Sequence, residues 1–73
     1  MKTGNLYSVK SGKIVLESSL GIIKTSWIGD FFLATSEEEA KEKALEYLEM
    51  YYGWSKILYI EFEVEIIRKG IYF

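Results

Sequence analysis

Three glutamates, Glu61, Glu63 and Glu65, alternate with Ile60, Phe62 and Val64 in the last third of a 73-residue chain. Alternate residues of a strand lie about 6.5–7 Å apart on one face, so Tyr59 and the three carboxylates fall into a single row. Carboxylates so arranged can attract a basic protein surface, as mimics of a nucleic-acid backbone do, or ligate a hard cation through oxygen. Cation binding needs ligands that converge on one ion, which a flat strand does not supply, so no metal and no cofactor is expected. The same row is also what a solvated sheet face presents when its Glu side chains meet Lys10, Lys13 or Lys24 across strands. A partner-binding face and a solvated face are both open readings of these residues.

Other chemistry is excluded by residue type. The chain has no His and no Cys, which removes disulfides, the usual structural zinc sites and the Ser-His-Asp and Cys-His forms of nucleophilic catalysis. It also removes any side chain that titrates near neutrality without perturbation. The single Asp, Asp30, follows Gly29 in a turn-like pair with an ordinary structural role. The six glycines are scattered, and none precedes a helix at phosphate-loop spacing. An enzyme is therefore not expected. Residues 1–36 balance at +2 and residues 37–73 at −4. With no basic stripe, binding to nucleic acid through its phosphates is disfavoured.

The elements that must position the row can be read from periodicity. The strand Leu58, Ile60, Phe62, Val64 and Ile66 turns one side inward and Tyr59, Glu61, Glu63, Glu65 and Ile67 to the other. Arg68-Lys69-Gly70 should end it. A helix is predicted from Ser36, where Ser36-x-x-Glu39 is a capping-box pattern and Glu37–Glu39 suit the positive end of the helix dipole. Ala40, Ala44, Tyr47, Leu48 and Tyr51 recur at helical spacing on one stripe. Gly53 should close the helix in a left-handed cap. The helix acids Glu37, Glu38, Glu39, Glu42, Glu46 and Glu49 read as a solvated outer face with a capped first turn, opposite the Glu row.

Before the helix, Leu6–Lys10 and Lys13–Glu17 flank Ser11-Gly12, which predicts a hairpin pairing Val9 with Ile14 and Tyr7 with Leu16. Ile22–Trp27 and Phe31–Ala34 flank Gly29-Asp30, which predicts a second hairpin whose last strand is short and buried. The expected fold is a single α+β domain, 1–73. It is a two-layer sandwich with one helix on a mainly antiparallel sheet, in the order β-β-(β-β)-α-β.

The twelve aromatic residues can fill a small core that has no covalent staple. Trp27 and Trp54 sit beside turns and either close the ends of the core or serve an interface; the Tyr51–Trp54 stretch is the more exposed of the two regions. The terminal Ile71, Tyr72 and Phe73 either dock on their own core or join two copies of the chain. No apolar run is long enough to span a bilayer. No apolar leader follows Met1-Lys2-Thr3-Gly4-Asn5, so a cytoplasmic location is expected.

The stretch from Leu33 to Lys41, Leu-Ala-Thr-Ser-Glu-Glu-Glu-Ala-Lys, resembles a strand-to-helix junction that recurs in small phage and mobile-element proteins. The resemblance implies a viral or mobile-element protein that binds and blocks a host protein in the host cytoplasm. The expected function is non-enzymatic protein binding, possible inhibition included, through Tyr59, Glu61, Glu63, Glu65 and Trp54. The alternative is a homo-oligomeric accessory subunit, such as a homodimer, joined through strand edges or through Ile71, Tyr72 and Phe73.

Overall fold

A computed structural model describes residues 3–73. Met1 and Lys2, with the reading of them as the start of a leaderless segment, lie outside the described residues. Three strands and one helix follow in the order β1 (Thr3–Ser18), β2 (Gly21–Ala34), α1 (Glu37–Tyr51) and β3 (Lys56–Tyr72). All pairing is antiparallel, and the sheet order is β2-β1-β3 with β1 in the centre.

The α+β class holds, whereas the two-layer sandwich and the β-β-(β-β)-α-β order do not form. Two strands precede the helix, because both predicted internal turns are bulges within continuous strands. At the first, Lys10 pairs with Glu63 and Lys13 with Glu61, so Ser11 and Gly12 together oppose Phe62. At the second, Val9 pairs with Asp30 and Ser11 with Trp27, which sets Ile28 and Gly29 against Lys10. Gly29 has φ +102°, and a Cβ there would stand 2.5 Å from the Val9 carbonyl oxygen, so this bulge needs glycine. The hairpin instead turns at Ser19-Leu20, where Ser18 pairs with Gly21. The Ser18 hydroxyl accepts from the Leu20 N–H and donates to the Gly21 carbonyl.

Each bulge inserts one extra residue and restores the parity of side chains across it. Tyr7, Val9, Ile14 and Leu16 therefore share one face of β1, and all four are buried. The helix lies over that face. Ala40, Ala44 and Leu48 point into it, the two alanines allowing close approach. The core has two parts, Tyr7, Val9, Ala34, Ala40 and Ala44 at one end and Ile14, Leu16, Leu48 and Tyr52 at the other. Buried Ser11 belongs to neither part, and its hydroxyl is satisfied by the Lys13 carbonyl and N–H.

The capping of α1 follows the sequence at its start and departs at its end. Ser36 Oγ accepts from the Glu39 N–H at 3.1 Å. The reciprocal bonds reach one residue further back than a capping box requires: Glu39 accepts from the Thr35 N–H and hydroxyl. At the other end Tyr52 is the C-cap, its N–H bonded to the Leu48 carbonyl. Gly53 is not among the glycines of positive φ, so the expected left-handed cap is absent.

A helix of 15 residues is about 22 Å long, while the molecule extends 44 Å. Its radius of gyration, 13.6 Å, exceeds the roughly 11 Å of a rounded domain of this length. One helix thus shields part of one sheet face, and the other face has no covering element among the described residues.

Candidate functional site

The uncovered face is built by the residues of each strand that alternate with the core. On β1 these are Leu6, Ser8, Lys10, Lys13, Val15 and Glu17. Their partners on β3 include Glu65 opposite Ser8, Glu63 opposite Lys10, Glu61 opposite Lys13 and Tyr59 opposite Val15. Their partners on β2 include Leu33 opposite Leu6, Phe31 opposite Ser8 and Lys24 opposite Val15. The face therefore has an acidic column on β3, a basic centre on β1 and a largely apolar column on β2.

Tyr59, Glu61, Glu63 and Glu65 come together on this face, while Ile60, Phe62 and Val64 pack half-buried toward the core. The acidic row is partly answered from within the chain. Lys10 Nζ lies 3.7 Å from Glu63, with both side chains exposed. Lys13 Nζ lies 5.4 Å from the centre of the Tyr59 ring, and the Tyr59 hydroxyl donates to Glu61. That bond holds the phenolic proton and pushes the Tyr59 pKa above its ordinary value, with desolvation and the Glu61 charge adding in the same direction. Glu65 has only Ser8 opposite it and no ion pair among the described residues.

Trp54 does not join the row. It lies in the turn between α1 and β3, 61% exposed, and lines a hollow with Glu17, Ile22 and Lys56 at the end of the sheet. It ends an aromatic series in which Trp27 stacks on Tyr47, Tyr47 on Tyr51, and Tyr52 meets Tyr51 and Trp54 edge-on. The terminal residues continue the sheet. Ile71 and Tyr72 pair with Gly4 and Thr3, and the Phe73 ring occupies the space where a Gly4 Cβ would stand.

Sequence reasoning missed the apolar column of β2. Phe31–Ala34 was expected to be a buried strand, yet Phe31 is 61% exposed and only Ala34 of the four is fully buried. Ile28, lifted by the bulge, is 96% exposed. A run of four apolar residues hides its own alternation, and the parity across Gly29 is the one signal that would have placed Phe31 outside.

Comparison of the chain with protein-family models, with curated proteins and with solved structures gave no match. Among the described residues, no helix is long and apolar enough to cross a membrane.

Proposed function

We propose that this chain is a small non-enzymatic interaction protein that binds a protein partner through the uncovered sheet face. The observation that supports this reading is the composition of that face. Exposed Phe31 and Leu33 stand on one side of it, Glu61, Glu63 and Glu65 on the other, and no element among the described residues covers them. Exposed apolar side chains rimmed by charge mark interaction surfaces, and aromatic anchors supply most of the energy at such surfaces. The row Tyr59, Glu61, Glu63 and Glu65 would supply charge complementarity toward a basic partner. In the reading implied by the Leu33–Lys41 junction, the partner is a host protein that the chain inhibits in the cytoplasm.

The test compares the wild-type chain with the triple variant Glu61→Lys, Glu63→Lys, Glu65→Lys as bait in an extract of the native host cell. The reversal should abolish capture of the main bound protein while circular dichroism stays unchanged. Equal capture by both baits rejects the proposed face.

A homo-oligomer is the second reading. Tyr72, 71% exposed at the end of an outer strand, favours it. Sedimentation of the full chain beside a chain ending at Gly70 tests it, and monomers in both cases reject assembly through Ile71, Tyr72 and Phe73.

A further inference from the structure

In the order β2-β1-β3, strand β3 bonds to β1 alone. Its other edge therefore leaves alternate backbone N–H and C=O groups along Lys56–Tyr72 without a strand partner among the described residues. Beside that edge, on the helix side, runs a groove of about 690 Å³ whose walls include Leu45 and Glu49 of α1 and Ile57, Leu58 and Ile60 of β3. Leu58 is 45% exposed there. On the opposite side of the same edge stand Glu61, Glu63 and Glu65.

We propose that the β3 edge and its groove take up an extended peptide segment of alternating apolar and basic residues, which adds to the sheet as a fourth strand. This rests on the reading of the chain as a protein-binding module and names the class of partner. A strand added at about 4.8 Å from β3 sends its side chains alternately to the two faces. Those on the helix side lie against Leu58, Ile60 and Phe62 and fill the groove. Those on the other side lie within cross-strand reach of the three glutamates at the same repeat, so charge complementarity selects Lys or Arg there. Among the described residues the one ion pair in the row, Lys10–Glu63, is exposed and therefore weak, and a basic side chain can share it. Glu65 is open to a cation from the partner.

The same charges disfavour a second copy of this chain. Antiparallel pairing of two β3 strands about Glu63 would set Glu61 of each copy against Glu65 of the other, and like charges directly opposite are destabilising. Strand β2 of a second copy would bring only one basic residue, Lys24.

The experiment measures fluorescence anisotropy of labelled peptides of about ten residues against the full-length chain. One probe alternates Lys with Val and a second alternates Glu with Val. Two further Lys/Val probes have N-methyl groups on every second residue, in the two possible phases. Binding is expected for the Lys/Val probe and not for the Glu/Val probe. One N-methyl phase, which blocks the bonding edge, should weaken binding at least about tenfold, and the other should not. Leu58→Thr, which keeps strand propensity and removes a groove wall, should weaken binding several-fold, and the triple Glu→Lys variant at least about tenfold.

Equal binding of both N-methyl phases overturns strand addition and leaves the protein-binding face standing. The absence of Lys/Val binding overturns it too, even where the extract experiment shows Glu-dependent capture. A wild-type dimer that the Lys/Val probe fails to dissolve would overturn it in favour of a second copy at the edge.

Discussion

The two faces of this sheet share the same three strands and are built to different ends. On the helix side Val9, Ile14, Ala40 and Ala44 are wholly buried, and Ser11 satisfies its hydroxyl locally. On the other side Phe31, Leu33 and Tyr59 are exposed beside Lys10, Lys13 and the glutamates. Covering one face is enough to fold a chain this short, because burial of apolar area drives folding and one helix supplies it. The uncovered face buries less apolar area and should contribute less to stability. Stability should therefore be concentrated on one face and binding on the other, a division that substitutions can break or sharpen.

The largest effect belongs to the covered face. Leu48→Ala removes a side chain 1% exposed between Ile14 and Tyr52. It should cost about 2–5 kcal/mol in urea denaturation, a large share of the stability of a small domain. A loss below about 1 kcal/mol would show that the helix-side core is loosely packed, and the contrast between the faces would fail.

Next comes the bulge that shapes both faces. Gly29→Ala places a Cβ 2.5 Å from the Val9 carbonyl oxygen at φ +102°, with an expected cost of about 1–3 kcal/mol. If the strand avoids the strain by losing the bulge, Ile28 and Trp27 exchange faces and the Trp27 fluorescence shifts to that of an exposed indole. Unchanged stability and fluorescence would place the bulge elsewhere.

These bulges explain what was legible from residue order and what was not. Val9 and Ile14 are five apart, as are Trp27 and Phe32, and an odd separation on a shared face demands either a reversal of the chain or one extra residue. Ser11-Gly12 and the stretch around Gly29 can meet either demand, so the faces could be read and the number of strands could not. The choice is made by long-range pairing: as bulged strands, β1 and β2 zip together from the Ser19-Leu20 turn to the pair Asn5–Ala34. The Glu row was readable because strict alternation from Leu58 to Glu65 admits one orientation. The helix start was readable because capping is local, and its end was misread because Gly53 follows a helix already closed by Tyr52.

A smaller effect is expected at the helix start. Ser36→Ala removes the bond to the Glu39 N–H and should cost about 1 kcal/mol. The Glu39 carboxylate is held below its ordinary pKa of 4.5 first by the Thr35 hydroxyl and then by the Thr35 N–H; desolvation opposes them, and Lys43 adds a lesser lowering. Because the folded value is the lower one, this contribution is complete above pH 4.5 and is lost as pH falls through the folded pKa. Thr35→Val should flatten that acid limb in melting temperature measured against pH. An unchanged limb would assign acid sensitivity to other carboxylates.

The smallest effect on stability, and the sharpest on the contrast, is expected at Phe31. A phenylalanine on the covered face would cost several kcal/mol to truncate, but Phe31 is 61% exposed and opposite Ser8. Phe31→Ser should therefore change stability by less than about 1 kcal/mol, the span of strand preference at a solvated position. It should also weaken capture of the partner by the uncovered face. A large loss of stability would mean that the face contributes to folding and that its apolar column is core left half open. A small loss of stability with undiminished capture would separate the apolar column from the acidic one and confine binding to the β3 side. Only a small loss of stability together with weakened capture leaves the two faces with the separate tasks proposed for them.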